Sequence, residues 1–157
     1  MKTKIIHFVL LCMFPWLSAM SKTKECTLDL RWYQIQIDIP ENAKVQYDSY
    51  EEGTFISIYD SIFYKKRDAD DSQRIPPIIV LFSGGLTKLP LIDTAVASEC
   101  YYIDTPQQYI SYGIINNFYF KEIEDKETHV RMYYQYVPIK KLKMYNRILR
   151  KARIIQK

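Results

Sequence analysis

The stretch Tyr33–Ile39, YQIQIDI, alternates without a fault: Tyr33, Ile35, Ile37 and Ile39 fall on one side, Gln34, Gln36 and Asp38 on the other. A period of two cannot serve a helix, whose apolar stripe repeats every 3.6 residues, so this is a strand with one face buried and one wet. Pro40 ends it. A chain with such a strand must supply a second apolar surface to cover it, and several later segments do. GTFISIYDS, opened by Gly53, sends Ile56 and Ile58 one way and Phe55 and Tyr59 the other. IIVLF, residues 78–82, is a continuous apolar run of strand length, expected to be covered on both faces. NFYFKEI and HVRMYYQYV flank the charged turn Glu124-Asp125-Lys126-Glu127, the pattern of an antiparallel hairpin. Val130, Met132, Tyr134 and Tyr136 are expected on its core side, with His129, Arg131 and Gln135 opposite. Residues 86–108 suit a short helix or an edge strand.

The last eighteen residues, KKLKMYNRILRKARIIQK, hold eight basic side chains and no acid. At 100° per residue, Leu142, Tyr145, Ile148, Leu149, Ala152 and Ile155 gather on one face. Lys140, Lys143, Arg147, Arg150 and Lys151 gather on the other, and Pro138 suits a helix start. Like charges four apart cost a few tenths of a kcal/mol each. Burial of the apolar face, at about 1.5–3 kcal/mol per large side chain, must therefore hold the helix on a sheet. The rival reading is a grip on an anionic membrane surface or a polyanion.

At the other end, Lys2 and Lys4 precede an apolar run from Ile5 to Leu17 and then small residues, the plan of a secretory signal. Cleavage is expected between Ala19 and Lys22, leaving residues 22–157 as one secreted or periplasmic domain. An uncleaved anchor is the alternative, against which His7 and Pro15 interrupt the run. Loss of Lys2 and Lys4 takes the formal net charge from +4 to +2. That is too little to make a polyanion binder, and an exported protein is not expected to meet nucleic acid. Fourteen tyrosines, seven phenylalanines and only four glycines indicate a packed, strand-rich domain. Cys26 and Cys100 would survive export. In an oxidising compartment they either pair, which stabilises by about 4 kcal/mol for so long a loop, or stay as buried thiols.

An alternating strand closed by isoleucine-proline, a polar stretch, EEGTFISIYDS, a late hairpin and the final YNRILRKARI together resemble the PsbP/Mog1-like domains. The resemblance covers about half of residues 22–157. It implies an α/β/α sandwich and an accessory or binding role without catalytic residues. The expected fold class is accordingly α+β: an antiparallel sheet flanked by helices, with the C-terminal amphipathic helix packed on it.

Little in the chain points to chemistry. LFSGGLTK has neither the phosphate-cradling GxxxxGK[ST] pattern nor the GxSxG of a nucleophile elbow. His129 is the one histidine after the signal, and its place beside Arg131 predicts an exposed, ordinary imidazole. Cys26, Cys100 and His129 have no zinc-ligand spacing, and DADDSQRIPPII lacks the glycine and glutamate of a calcium loop. No metal or cofactor is expected. Carboxylate pairs such as Glu122 and Glu124 keep a hydrolase as an alternative. The aromatic residues Tyr101, Tyr102, Tyr109, Tyr112 and Tyr119 exceed what one core accommodates comfortably and suggest a protein-binding surface. The expected function is non-enzymatic binding of another protein, as an immunity or inhibitor protein or as an accessory subunit of an envelope complex.

Overall fold

The computed structural model describes residues 22–51, 53–60, 77–84 and 91–157. The expected signal segment, most of the charged stretch 62–77 and residues 85–90 lie outside them. Among the described residues ten strands form two antiparallel sheets. Strands β1 (Thr23–Leu30) and β2 (Tyr33–Pro40) pair as a hairpin, and β10 (Arg153–Gln156) joins the other side of β2, giving the order β1-β2-β10. The larger sheet is built from β3 (Ala43–Tyr50), β4 (Gly53–Asp60), β5 (Ile79–Gly84), β6 (Glu99–Asp104), β7 (Gln108–Ile115), β8 (Phe118–Asp125) and β9 (Arg131–Val137). Its order is β3-β4-β5-β9-β8-β7-β6. A single α-helix, α1 (Ile139–Lys151), and a 3-10 turn at Thr94–Val96 complete the described residues.

The alternating strand behaves as its pattern dictates: Ile35, Ile37 and Ile39 are at most 1% exposed, while Gln34, Gln36 and Asp38 keep contact with water. Together with Leu28 and Leu30 they face Ile56, Ile58, Ile79, Leu81, Met132 and Tyr134 of the large sheet. Helix α1 fills the remaining space with Tyr145, Ile148 and Leu149, touching β2 on one side and β9 and β8 on the other. Strand β5 sits mid-sheet with Ile79 to Ser83 all buried, as a continuous apolar run requires.

The fold is mainly β, which overturns the expectation of an α+β sheet flanked by helices. Among the described residues one α-helix stands beside ten strands, and the layer opposite the large sheet is a second sheet. The reason is physical. Strands β1, β3, β6 and β10 are the four sheet edges. An edge strand meets water on one side and tolerates polar residues, so β3, β6 and β10 lack a clean alternation, whereas β1 carries a short one in Cys26, Leu28 and Leu30.

Two local departures have equally concrete causes. The helix stops at Lys151, because Ala152 turns extended (φ −58°, ψ 138°) and its N–H closes on the carbonyls of Ile148 and Leu149. Ile155 then lies in β10 at 41% exposure instead of on the helix's apolar face. Tyr136, expected in the core, is 43% exposed. The β8–β9 register shifts between Tyr119 and Lys121, and Tyr136 takes φ 57°. A β-bulge thus inserts one residue, turns Tyr136 outward and sends Val137 inward.

Candidate functional site

Four of the five singled-out tyrosines meet at one end of the large sheet. Tyr101 and Tyr112 are cross-strand partners on β6 and β7, with ring centroids 5.4 Å apart and planes at 26°. They lie on the face that continues the core, next to Ile103 and Ile110. Tyr102 and Tyr109 occupy the opposite face, stacked at 6.0 Å and 29°. Burial raises the Tyr109 phenol above its ordinary range, with Tyr102 and Cys100 adding to the effect. Tyr119 is not part of this group: it lies on β8, partly buried against the core. The result is an edge strand with stacked tyrosines on both faces, and Tyr101, Tyr102, Ile103 and Tyr112 all remain substantially exposed. Gly113 makes the tight pairing of β6 with β7 feasible, since a Cβ there would fall 1.9 Å from the Glu99 carbonyl oxygen.

A buried charge cluster lies on the same outer face, two strands inward. Glu122 and Arg131 are each 3% exposed. The Leu91 N–H donates to both Glu122 oxygens, at 3.0 and 3.1 Å, and the Ile92 N–H reaches Oε2 at 3.4 Å. Arg131 Nη1 stands 4.0 Å from Glu122 Oε1, and Nη2 stands 3.3 Å from Glu124 Oε2. Burial pushes the Glu122 carboxyl up; the Leu91 and Ile92 donors and Arg131 oppose that shift. Tyr133, on the same face, is pushed up to about 12, first by burial and then by the Glu122 charge. The cluster pins the β5-to-β6 connection across the sheet. Chain separation hid it: Leu91 lies 31 residues from Glu122, and a backbone donor leaves no side-chain signature. Glu122 and Glu124 being two apart, hence on one strand face, was the readable part.

Arg131, expected on the side away from the core, is on that side but enclosed. His129 precedes β9 with φ 55°, its side chain 70% exposed and Nδ1 3.4 Å from Glu124. Ser83, from the glycine-rich LFSGGLTK, is buried at the end of β5. Cys26 on β1 and Cys100 on β6 are free, partly buried thiols on strands of different sheets. Among the described residues no group of three or more His, Cys, Asp or Glu is gathered to hold a metal.

On α1, Lys140, Lys143, Arg150 and Lys151 are exposed and Arg147 is half-buried. The basic face is not uninterrupted. Lys151 reaches Asp38 at 3.7 Å, and Lys141, beside that face, holds the buried Asp60 at 2.7 Å. Where α1 ends over β2, a shallow cleft is lined by Arg150, Lys151 and Arg153 together with Glu25 and Asp38, a mixed charge. Outside the predicted residues, Trp32 stacks under the Arg31 guanidinium at 4.4 Å, and Tyr47 and Tyr50 are exposed on β3. No helix among the described residues is long and apolar enough to cross a membrane.

Comparison with known proteins gives no match: no family model, no curated protein and no solved structure is significantly similar to this chain. The functional reading rests on its own residues.

Proposed function

We propose that this is a non-enzymatic protein, exported by its N-terminal segment, that works by binding another protein through the tyrosine-faced edge formed by β6 and β7. The observation that carries this reading is the pair of stacks, Tyr101 on Tyr112 and Tyr102 on Tyr109, one on each face of the edge. Stacked tyrosines offer a large, rigid contact area at low conformational cost, with hydroxyls left to bond a partner. An inhibitor or immunity protein against a toxin or envelope enzyme is the narrower role, since it needs one complementary surface and no chemistry. An accessory subunit would use the same surface. The non-enzymatic reading is supported by Glu122, whose two oxygens are occupied by backbone donors.

The test is affinity capture from the cell envelope of the source organism. Parent protein is compared with Tyr101→Ser/Tyr112→Ser and Tyr102→Ser/Tyr109→Ser. A partner held by the parent should bind at least about tenfold more weakly to one of these variants, as loss of interface tyrosines implies. A partner that binds both variants as tightly as the parent would place the binding surface elsewhere.

A further inference from the structure

Strand β6 ends the seven-stranded sheet, and among the described residues no strand pairs with its outer side. The phase of its ladder can be read. Thr105 N–H donates to the Gln108 carbonyl at 2.9 Å, so in the observed register Ile103/Ile110 and Tyr101/Tyr112 are the hydrogen-bonded pairs. The N–H and C=O groups of Cys100, Tyr102 and Asp104 therefore aim away from the sheet. Exposed edges are normally guarded by charge, proline or a bulge. From Cys100 to Ile103 there is no such guard, and Tyr101, Tyr102 and Ile103 are 51%, 54% and 44% exposed. Charge stands only at the ends, at Glu99 and at Asp104, which is held by Lys126.

We infer that a second copy of this chain caps the edge, with β6 pairing antiparallel to its equivalent about a twofold axis at Tyr102. A like partner is favoured by the side-chain pairings that such an axis makes. An axis there sets Tyr102 against Tyr102 and Cys100 against Asp104, so that all three outward residues of each copy find backbone partners. On the inner face Tyr101 meets Ile103 of the second copy, extending the floor of Tyr112 and Ile110 across the junction. On the outer face the order becomes Tyr109, Tyr102, Tyr102, Tyr109. Glu99 falls opposite Thr105, so no like charges oppose one another. Sliding by two residues leaves one outward residue of each copy unpaired and sets Glu99 against Ile103 or Asp104 against Tyr102. The result is an isologous contact, the commonest kind in homodimers. Its area is that of one strand and its rings, below the roughly 800 Å² per partner of stable complexes, so a dissociation constant on the order of 100 µM is expected. The contact shares a surface with the proposed partner site but needs no other protein, so the two readings fail separately.

Sedimentation equilibrium of the purified protein tests it, from ~5 µM to ~1 mM, a range that brackets so weak an association. The weight-average mass should climb toward that of a dimer. Ile103→Lys leaves the Ile103 N–H on β7 but puts a charge in the shared floor; with an unchanged melting temperature it should weaken association at least about tenfold. Tyr102→Ala removes the ring, whereas Tyr102→Pro removes the ring and the outward N–H, so the proline variant should associate less than the alanine one. A monomer at every concentration would overturn the inference. So would a dimer indifferent to Ile103→Lys, or equal association of folded Tyr102→Ala and Tyr102→Pro.

Discussion

Replacing Arg131 by Met keeps most of the side chain's length and removes its charge from the buried cluster. The guanidinium lies 3.3 Å from Glu124 Oε2 and 4.0 Å from Glu122 Oε1. Glu124, with its side chain 23% exposed, can recover water when the cation goes. Glu122, 3% exposed, cannot. Breaking a buried pair by removing one partner costs about 3–5 kcal/mol, because an uncompensated charge stays behind. The Leu91 and Ile92 donors remain on Glu122, which places the expected loss near the lower end, about 3 kcal/mol. A domain with a net stability of about 5–15 kcal/mol stays folded but becomes marginal.

The pH dependence sharpens this prediction. The Glu122 carboxyl is raised by burial, so the folded state binds its proton more tightly than the unfolded chain does. Its contribution to stability is therefore largest in acid and is lost as pH rises through the raised value. Arg131 is one of the influences holding that value down. Without it the carboxyl climbs further, and the variant should lose more stability at pH 8 than at pH 5. The assay is urea denaturation at both pH values, with equal slopes required for comparison. It is run in a His129→Asn background so that the imidazole beside Glu124 does not contribute; asparagine suits the φ of 55° there. A loss under about 1 kcal/mol, or one equal or larger at pH 5, would refute the account of the cluster as a compensated buried charge.

Leu149→Asp should cost several kcal/mol by thermal melting, since a carboxylate would replace a side chain only 2% exposed. Lys143→Gln, Arg147→Gln and Arg150→Gln together should leave the melting temperature unchanged or slightly raised; salt-sensitive vesicle binding lost in that variant would favour the anionic-membrane reading. Gly113→Ala should destabilise by about 2–3 kcal/mol in denaturant, because the clashing atom is the Glu99 backbone oxygen and cannot yield. Spectrophotometric titration should show Tyr133, Tyr134 and Tyr145 un-ionised after exposed tyrosines have titrated, Tyr133 near pH 12. Their raised values make stability fall as pH climbs past the ordinary tyrosine range, so ionisation and alkaline unfolding should coincide.

How much of the fold the sequence discloses depends on where each strand sits. β2, β4, β5, β7, β8 and β9 are interior strands, and all of them except β7 show alternation or a continuous apolar run because at least one face must be dry. β1, β3, β6 and β10 are edges. In AKVQYDSY, the whole of β3, the side that shares a face with Ile56 and Ile58 holds Ala43, Val45, Tyr47 and Ser49, of which only the first two are partly buried, too mixed to read as an apolar face. Mistaking such segments for loops leaves one sheet without a covering layer, and helices are then the natural guess. The helix itself was readable, since a 3.6-residue stripe ran from Leu142 to Leu149. Its end was not, because Ala152 extends the stripe while its backbone leaves the helix.

The candidate site divides along the same line. Tyr101, Tyr102, Tyr109 and Tyr112 were identifiable as a surplus of aromatic area, but a count of rings cannot say which rings stack. Stacking follows from the β6–β7 register, which puts Tyr101 directly opposite Tyr112 and sets Tyr102, opposite Ser111, on the diagonal from Tyr109. That register is set by the two-residue turn at Pro106-Gln107 and by the close approach at Gly113, both of which act through backbone. Parity then does the rest: Tyr101 and Tyr102, adjacent in sequence, are sent to opposite faces, and each finds its own partner eleven or seven residues on. The edge thereby gains an aromatic surface on both sides from a single dipeptide. A one-residue slip in the turn would set the paired rings on opposite faces and leave neither stack. The register, more than the tyrosine count, is what creates a binding surface here.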